Sequence, residues 1–230
     1  MMRVTAIIPT RGDREAFVEH CKFLLARQTR QFDRVIWVDD PPLTGEKDIT
    51  FRYRKGISEA APVSDVIFLW EDDDWYHEKY VENMLAAWEM NGRPQVFGLA
   101  STCYYHLESR RGKILKHRGR ASAMSTIISS AAVENIQWPS DTEPFFDIRL
   151  WKSLRGVAID TEELLCVGIK HGVGLCGGMG HRSGWSGYDN IDDARMSWLS
   201  AVVDPESFSF YTKISRSLNA KKNKDVQPAK

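Results

Sequence analysis

The sequence has no apolar run near the roughly 18 residues that a membrane-spanning helix needs, so no transmembrane segment is expected. It has no net charge either, since Lys+Arg and Asp+Glu both number 31. Bulk charge therefore predicts no polyanionic partner and leaves only local patches to consider. The chain enters "MRVTAIIPT" without a charged lead, a long apolar stretch and a small-residue cleavage site in succession, which predicts no signal peptide. No CxxC pair occurs. Cys21, Cys103, Cys166 and Cys176 stand apart, which argues against structural zinc and for reduced core thiols in a cytoplasmic protein. There is no internal repeat.

What is present suits one domain, or one domain with an appendage: 230 residues, 43% hydrophobic. "VTAII" (4–8) reads as a buried strand ended by Pro9. Phe17, Val18, Cys21, Leu24 and Leu25 fall at helical spacing over 15–27. "RVIWVD" (34–39), "VIFLW" (66–70) and "QVFGLAS" (95–101) read as strands. Val81, Met84, Leu85 and Trp88 mark a helix over 78–91. Strand and helix alternate, and the strands are short and apolar throughout. This predicts an α/β fold with a mostly parallel central sheet flanked by helices. Further on, the pattern predicts a hairpin over 103–117 turning at Arg111-Gly112, and strands at 125–129 and 164–172. It also predicts helices near 146–154 and 192–202, and a flexible basic polar tail over 213–230.

Ligands of open α/β sheets bind beyond the carboxyl ends of the strands. Two strands here end in acid, at Asp39-Asp40 and at Glu71-Asp72-Asp73-Asp74. The first strand ends in Pro9-Thr10-Arg11-Gly12. Parallel strands would bring these ends to one pocket. Carboxylates at such an edge suit Mg²⁺ or Mn²⁺, hard cations that take a few protein oxygens and complete their shell with phosphate. A solvated acidic turn ahead of a helix at Glu78 is the simpler alternative.

The ordered series "AIIPTRGD" (6–13), "LLARQTRQFDRVIWVDD" (24–40) and "RKGISEAAPVSDVIFLWEDDDWY" (54–76) resembles family 2 nucleotide-sugar glycosyltransferases of the GT-A fold. The resemblance runs over about the first 100 residues. Pro41-Pro42, Glu71 and Ala61-Pro62 depart from the family's pattern of Gly-Ser, Asp and Arg-Asn. The resemblance implies a metal-dependent, inverting transfer of a hexosyl or pentosyl group from a nucleoside diphosphate sugar, a UDP-sugar first. Asp39 or Asp40 would bind the base, with Thr10 and Arg11 on that side. In the DxD run, Asp72 would approach ribose or metal, Asp74 would hold the metal, and Asp73 is a further candidate.

The resemblance places the general base in "TEPFFDIRLWKSLRG" (142–156), as Asp147 with Glu143 in reserve; Phe146 stands where the family has Glu. Trp151, four residues on, shares a helix face with Asp147 and would stack on sugar or acceptor. "HGVGLCGGMGHRSGWSG" (171–187) is dense in glycine and reads as a loop that closes over the diphosphate. Within it His181 would reach the metal or diphosphate, and Arg182 the leaving group. "GVGLCG" also fits G-x-G-x-x-G, but no helix pattern follows, which excludes a dinucleotide site there.

Arg110, Arg111, Lys113, Lys116, Arg118 and Arg120 crowd one stretch beside Tyr104 and Tyr105. The stretch is either a solvated face or a contact for a phosphate-bearing acceptor. The acceptor classes considered are a glycan, a lipid-linked sugar or nucleic acid, including a modified base in DNA. The domain expectation is a single GT-A domain over 1–212, with a nucleotide-sugar half (1–100) and an acceptor half (101–212). The rival readings are a nucleotidyltransferase using the same carboxylates, and an inactive sugar-nucleotide-binding module.

Overall fold

The structure is a computed structural model that describes residues 2–40, 48–139, 146–172 and 191–225, with backbone alone over 221–225. In chain order the elements begin β1 (Val4–Pro9), α1 (Glu15–Ala26), β2 (Arg34–Val38), α2 (Asp48–Ala60), β3 (Val66–Leu69) and β4 (Trp75–Tyr76). They continue with α3 (Tyr80–Met90), β5 (Val96–Leu99), β6 (Ser101–His106), β7 (Arg111–Lys116), β8 (Thr126–Ser129) and α4 (Phe146–Ser153). The last are β9 (Gly156–Ile159), β10 (Cys166–Lys170), β11 (Ile191–Asp192), α5 (Ser197–Val202) and α6 (Pro205–Asp225). The chain divides into two compact units, Met1–Thr102 with Lys116–Cys166, and Cys103–Leu115 with Val167–Lys230.

The first unit is built on a six-stranded sheet of order β2-β1-β3-β8-β5-β9. β1 runs parallel to β2 and β3, and β5 parallel to β9. β8 is antiparallel to both β3 and β5. The mostly parallel, helix-flanked α/β sheet expected from the sequence is therefore observed. β1 and β3 are buried at every position, as strands covered on both faces must be. Alternation in β3 splits its side chains between two layers. Ile67 and Leu69 join Ile7, Ile57 and Leu150 in one apolar cluster. Phe68 and Trp70 instead meet Phe32, Tyr76 and Tyr80, with the Trp70 and Tyr76 rings stacked at 3.7 Å.

Helix α2 carries a thin apolar stripe of Ile49, Tyr53, Ile57 and Ala60. It buries Thr50, Arg52, Tyr53, Gly56, Ile57 and Ala60, spaced three and four apart as on any helix face, but chiefly polar, small or aromatic. Gly56 is where the helix comes closest to β1: a Cβ there would lie 2.4 Å from Ile7 Cγ2 and 3.1 Å from Val38 Cγ2. Neither branched side chain can swing away. Gly56→Ala should therefore destabilise the unit by about 1–3 kcal/mol, read as a lower midpoint in thermal or urea unfolding. An unchanged midpoint would contradict the close approach.

The second unit contains β strands in the order β11-β7-β6-β10. β10 is parallel to β6, and β11 antiparallel to β7. The β6–β7 hairpin turns over 107–110, ahead of the expected Arg111-Gly112. Arg110 takes the left-handed conformation (φ 53°), while Arg111 and Gly112 already belong to β7. Asp193 is the unit's buried polar anchor. It accepts from Tyr105 Oη at 2.9 Å and from the backbone N–H groups of Trp198 and Leu199 at 3.0 and 3.1 Å. The helix expected over 192–202 is thus shorter and follows a strand. Helix α6 starts on Asp204, whose carboxylate takes the Ser207 N–H and Oγ–H at 3.0 and 2.6 Å, with Pro205 at the first helical position. It buries Ser207, Tyr211 and Ser215 and runs to Asp225, well into the stretch read as a flexible tail. Among the described residues no helix is long and apolar enough to cross a membrane. Cys21, Cys103 and Cys166 are free and buried; Cys176 lies outside the described residues.

Candidate functional site

The register of the parallel strands sets the site. Pro9 of β1 pairs with Val38 of β2, and Ile7 with Leu69 of β3. The chain leaves all of these strands at one edge of the first unit's sheet. Thr10 N–H still donates to Val38 O at 3.0 Å, and Trp70 N–H to Ile7 O at 3.0 Å. Thr10, the Asp39-Asp40 pair and the 71–74 acid run therefore follow strands that end at the same sheet edge.

The acid run does not point at water. Asp72, Asp73 and Asp74 are 1%, 5% and 1% exposed. Three buried carboxylates in a row repel one another and lose hydration, so cationic and donor groups must meet them. Arg14, the residue before α1, does so. Its Nη1 bonds Asp72 Oδ1, and its Nη2 bonds Asp73 Oδ2 at 2.9 Å. Thr10 Oγ1–H donates to the other Asp72 oxygen at 2.6 Å. Burial opposes the charge on Arg14, but Asp73, Asp72 and Glu71 outweigh it and hold the guanidinium protonated. Burial, with the Asp73 charge adding, pushes Asp72 up to about 6 against the pull of Arg14 and Thr10.

Glu71, Asp73 and Asp74 each offer a carboxylate oxygen within 4.8 Å of the others. An all-oxygen, anionic donor set of this kind fits a hard divalent cation such as Mg²⁺ or Mn²⁺. The turn that carries it is clamped from behind. Tyr76 Oη accepts from Glu71 N–H at 3.0 Å and donates to Met124 O at 3.2 Å, and Tyr80 Oη donates to the same carbonyl at 3.2 Å. The run "DDDWY" thus supplies both the acids and the aromatic that fixes them.

The other nucleotide-side candidates differ in what they already hold. Asp39 is exposed. Asp40 pairs with Lys55 at 2.5 Å, and that bond lowers its pKa. Arg11 reaches Asp13 at 3.2 Å and is 20% exposed. Arg52 of α2 is almost buried, bonding Val38 O at 2.7 Å and Asp48 at 2.8 Å, which ties α2 to the end of β2.

Asp147 lies in the first turn of α4, its side chain 14% exposed, and pairs through Oδ2 with Arg120. Burial raises its pKa more than Arg120 lowers it, the direction a general base near neutral pH requires. Trp151 is not beside it as an open platform. The indole is in the apolar core, donates to Thr126 Oγ1 at 3.1 Å, and fills the space above Gly156, where a Cβ would lie 2.7 Å from the ring.

A buried polar chain backs this region. His117 Nε2 lies 3.0 Å from Thr102 Oγ1, which is 2.9 Å from Ser122 Oγ, itself 3.1 Å from Ser125 Oγ. Burial, with the Arg120 charge adding, lowers His117 from 6.5 to about 4. Between these values the unfolded chain binds the proton and the fold does not. Stability should therefore fall as pH drops through that window, by at most about 3 kcal/mol. Urea unfolding at pH 7 and pH 4.5 should show a smaller loss in His117→Gln than in the wild type. An equal loss would contradict this role.

His181 and Arg182, expected at the metal and leaving group, lie outside the described residues, as does the reserve base Glu143. The residues that sequence reasoning missed are Arg14, Tyr76 and Tyr80, while Arg120 was read only as part of the basic stretch and not as the partner of Asp147. Of these, Tyr76 carried a signal, standing directly after the acid run. Arg110 and Arg120 of the basic stretch are engaged within their own units. Arg110 donates to Ala194 O at 3.0 Å and Arg120 pairs with Asp147.

No protein-family profile matches the chain, and no curated protein sequence is significantly similar to it. Among solved structures, S. aureus TarS 1-349 in complex with UDP is similar at a TM-score of 0.54 and 12% identity, covering 73% of this chain and 60% of that one. TarS 1-349 in complex with UDP-GlcNAc is similar at a TM-score of 0.54 and 12% identity, covering 96% and 70%. The chain spans 60% and 70% of the lengths of these two structures. At this identity the likeness speaks of architecture, and the architecture is a GT-A fold.

Proposed function

We propose that the chain is an inverting glycosyltransferase of the family 2 kind. It would move a sugar from a nucleoside diphosphate sugar, a UDP-sugar first, to an acceptor hydroxyl. The observation that carries this reading is the convergence of Glu71, Asp73 and Asp74 at the carboxyl edge of a GT-A sheet. The UDP and UDP-GlcNAc bound by TarS 1-349 favour a uridine donor.

In this reading Asp74, with Asp73 and Glu71, holds Mn²⁺ or Mg²⁺. The cation supplies Lewis-acid stabilisation of the charge that grows on the diphosphate as the sugar–phosphate bond breaks. Asp39, the more open of the β2-end acids, reads the base, with Thr10 and Arg11 beside it. Thr10 also fixes Asp72, which faces the ribose. Asp147 removes the acceptor proton. Arg120 orients the carboxylate through Oδ2, and the carboxylate takes the proton as the hydroxyl oxygen attacks the anomeric carbon opposite the departing diphosphate. His181 and Arg182 are assigned to the diphosphate by sequence position. Trp151 supports the helix that carries Asp147 rather than stacking on sugar. The exposed members of the basic stretch in the first unit, Lys116 and Arg118, are assigned to a phosphate-bearing acceptor such as a lipid-linked sugar or nucleic acid.

A panel of sugar nucleotides, with and without Mn²⁺, tests the reading. Release of UDP from a UDP-sugar in the presence of Mn²⁺ is expected. Consumption of nucleoside triphosphate with pyrophosphate release would replace this reading with nucleotidyl transfer. Binding without any turnover across the panel and an acceptor set would replace it with a binding module.

A further inference from the structure

Arg14 stands 58 residues before Asp72 in sequence and still bridges Asp72 and Asp73. Its guanidinium lies 5.9 Å from the Phe17 ring centroid, and its side chain is 12% exposed, so it is packed in place rather than loosely tethered. Asp72 is bound by Thr10 as well as by Arg14. Asp73 has a different position. It belongs to the trio that offers oxygens to a cation, and one oxygen of its carboxylate, Oδ2, is bonded to Arg14. A divalent cation on Asp73 would therefore sit close to a fixed positive charge in a poorly solvated pocket, where like charges repel strongly.

We propose that Arg14 is the resident counter-cation of the acid run and competes with a divalent cation for Asp73, so that it sets how tightly the site holds its metal. This rests on the reading of Glu71, Asp73 and Asp74 as metal ligands. Arg14 offsets part of the charge on the buried carboxylates when no metal is bound. The same contact weakens metal binding, because Asp73 must share its charge. Metal occupancy then depends on the arrival of a diphosphate, whose own oxygens add ligands and negative charge beside Arg14.

The test is Mn²⁺ alone titrated into wild type, Arg14→Met, Arg14→Lys and Asp74→Ala, with unfolding temperatures measured in EDTA. Arg14→Met should bind Mn²⁺ at least about tenfold more tightly than wild type. In EDTA it should unfold at least about 5 °C lower, and Mn²⁺ should restore more of that loss than it adds to the wild type. Arg14→Lys, which keeps the charge but not the two-pronged geometry, should fall between them. If Arg14→Met unfolds in EDTA, the Mn²⁺ concentration that refolds it replaces the dissociation constant, and failure of Mn²⁺ to refold it overturns the inference. Equal or weaker Mn²⁺ binding by Arg14→Met, with binding abolished in Asp74→Ala, overturns the competition while the metal site stands. Absence of Mn²⁺ binding in wild type and Arg14→Met alike overturns the metal site itself.

Discussion

Asp74→Ala is expected to lower sugar transfer by about 10³-fold or more and to remove the Mn²⁺ dependence of nucleotide binding. Asp74 is 1% exposed and belongs to the trio whose oxygens lie within 4.8 Å of one another. Its loss removes one of three negative charges that a divalent cation would see, while Tyr76 and Tyr80 keep the turn in place through Met124 O. The fold should therefore survive, and the far-ultraviolet circular dichroism should match the wild type. Turnover in Asp74→Ala at the wild-type rate would remove Asp74 from the metal site.

Asp147→Asn should leave donor binding unchanged and reduce transfer by about 10²–10⁴-fold, the range a general base contributes. The substitution keeps the shape and retains a carbonyl oxygen for Arg120, but amide oxygen cannot take the acceptor proton at neutral pH. The raised pKa of Asp147, set by burial against the pull of Arg120, also gives the pH dependence its direction. Transfer should fall on the acid side at a pH above the usual carboxylate range, as Asp147 takes up a proton, and the remaining activity of Asp147→Asn should lack that limb. Single-turnover assays with saturating donor separate binding from chemistry. Full transfer by Asp147→Asn would place the base elsewhere.

The fold was legible where burial is apolar and regular. β1, β3 and α3 carry their packing in Val, Ile, Leu, Met and aromatic side chains, and the alternation of strands with helices follows from them. Helices α2 and α6 escaped notice for one reason. Their buried faces mix Tyr53, Ile57 and Ala60 with Thr50, Arg52 and Gly56, and Tyr211 with Ser207 and Ser215, so spacing is helical but the apolar signal is thin. β9, a partly exposed strand at the sheet edge, is marked by neither.

In the site, the acids were legible because four carboxylates after a buried strand demand an explanation. The groups that answer them were not. Arg14 and Arg120 lie 58 and 27 positions away from their partners in sequence, and nothing local shows that either faces a carboxylate. Trp151 shows the opposite failure. Its spacing from Asp147 suggested a shared face, yet its large apolar ring is used against Gly156 in the core. Sequence spacing defines a helix face, and tertiary packing decides which part of it reaches solvent.

The most direct measurement is a crystal of the chain grown with UDP and Mn²⁺, with anomalous scattering recorded at the manganese edge. The account predicts one strong anomalous peak bounded by Glu71, Asp73 and Asp74, with the diphosphate completing the shell and the uracil on the Asp39 side. UDP bound at this edge with no manganese among those carboxylates, or manganese held elsewhere, would contradict it.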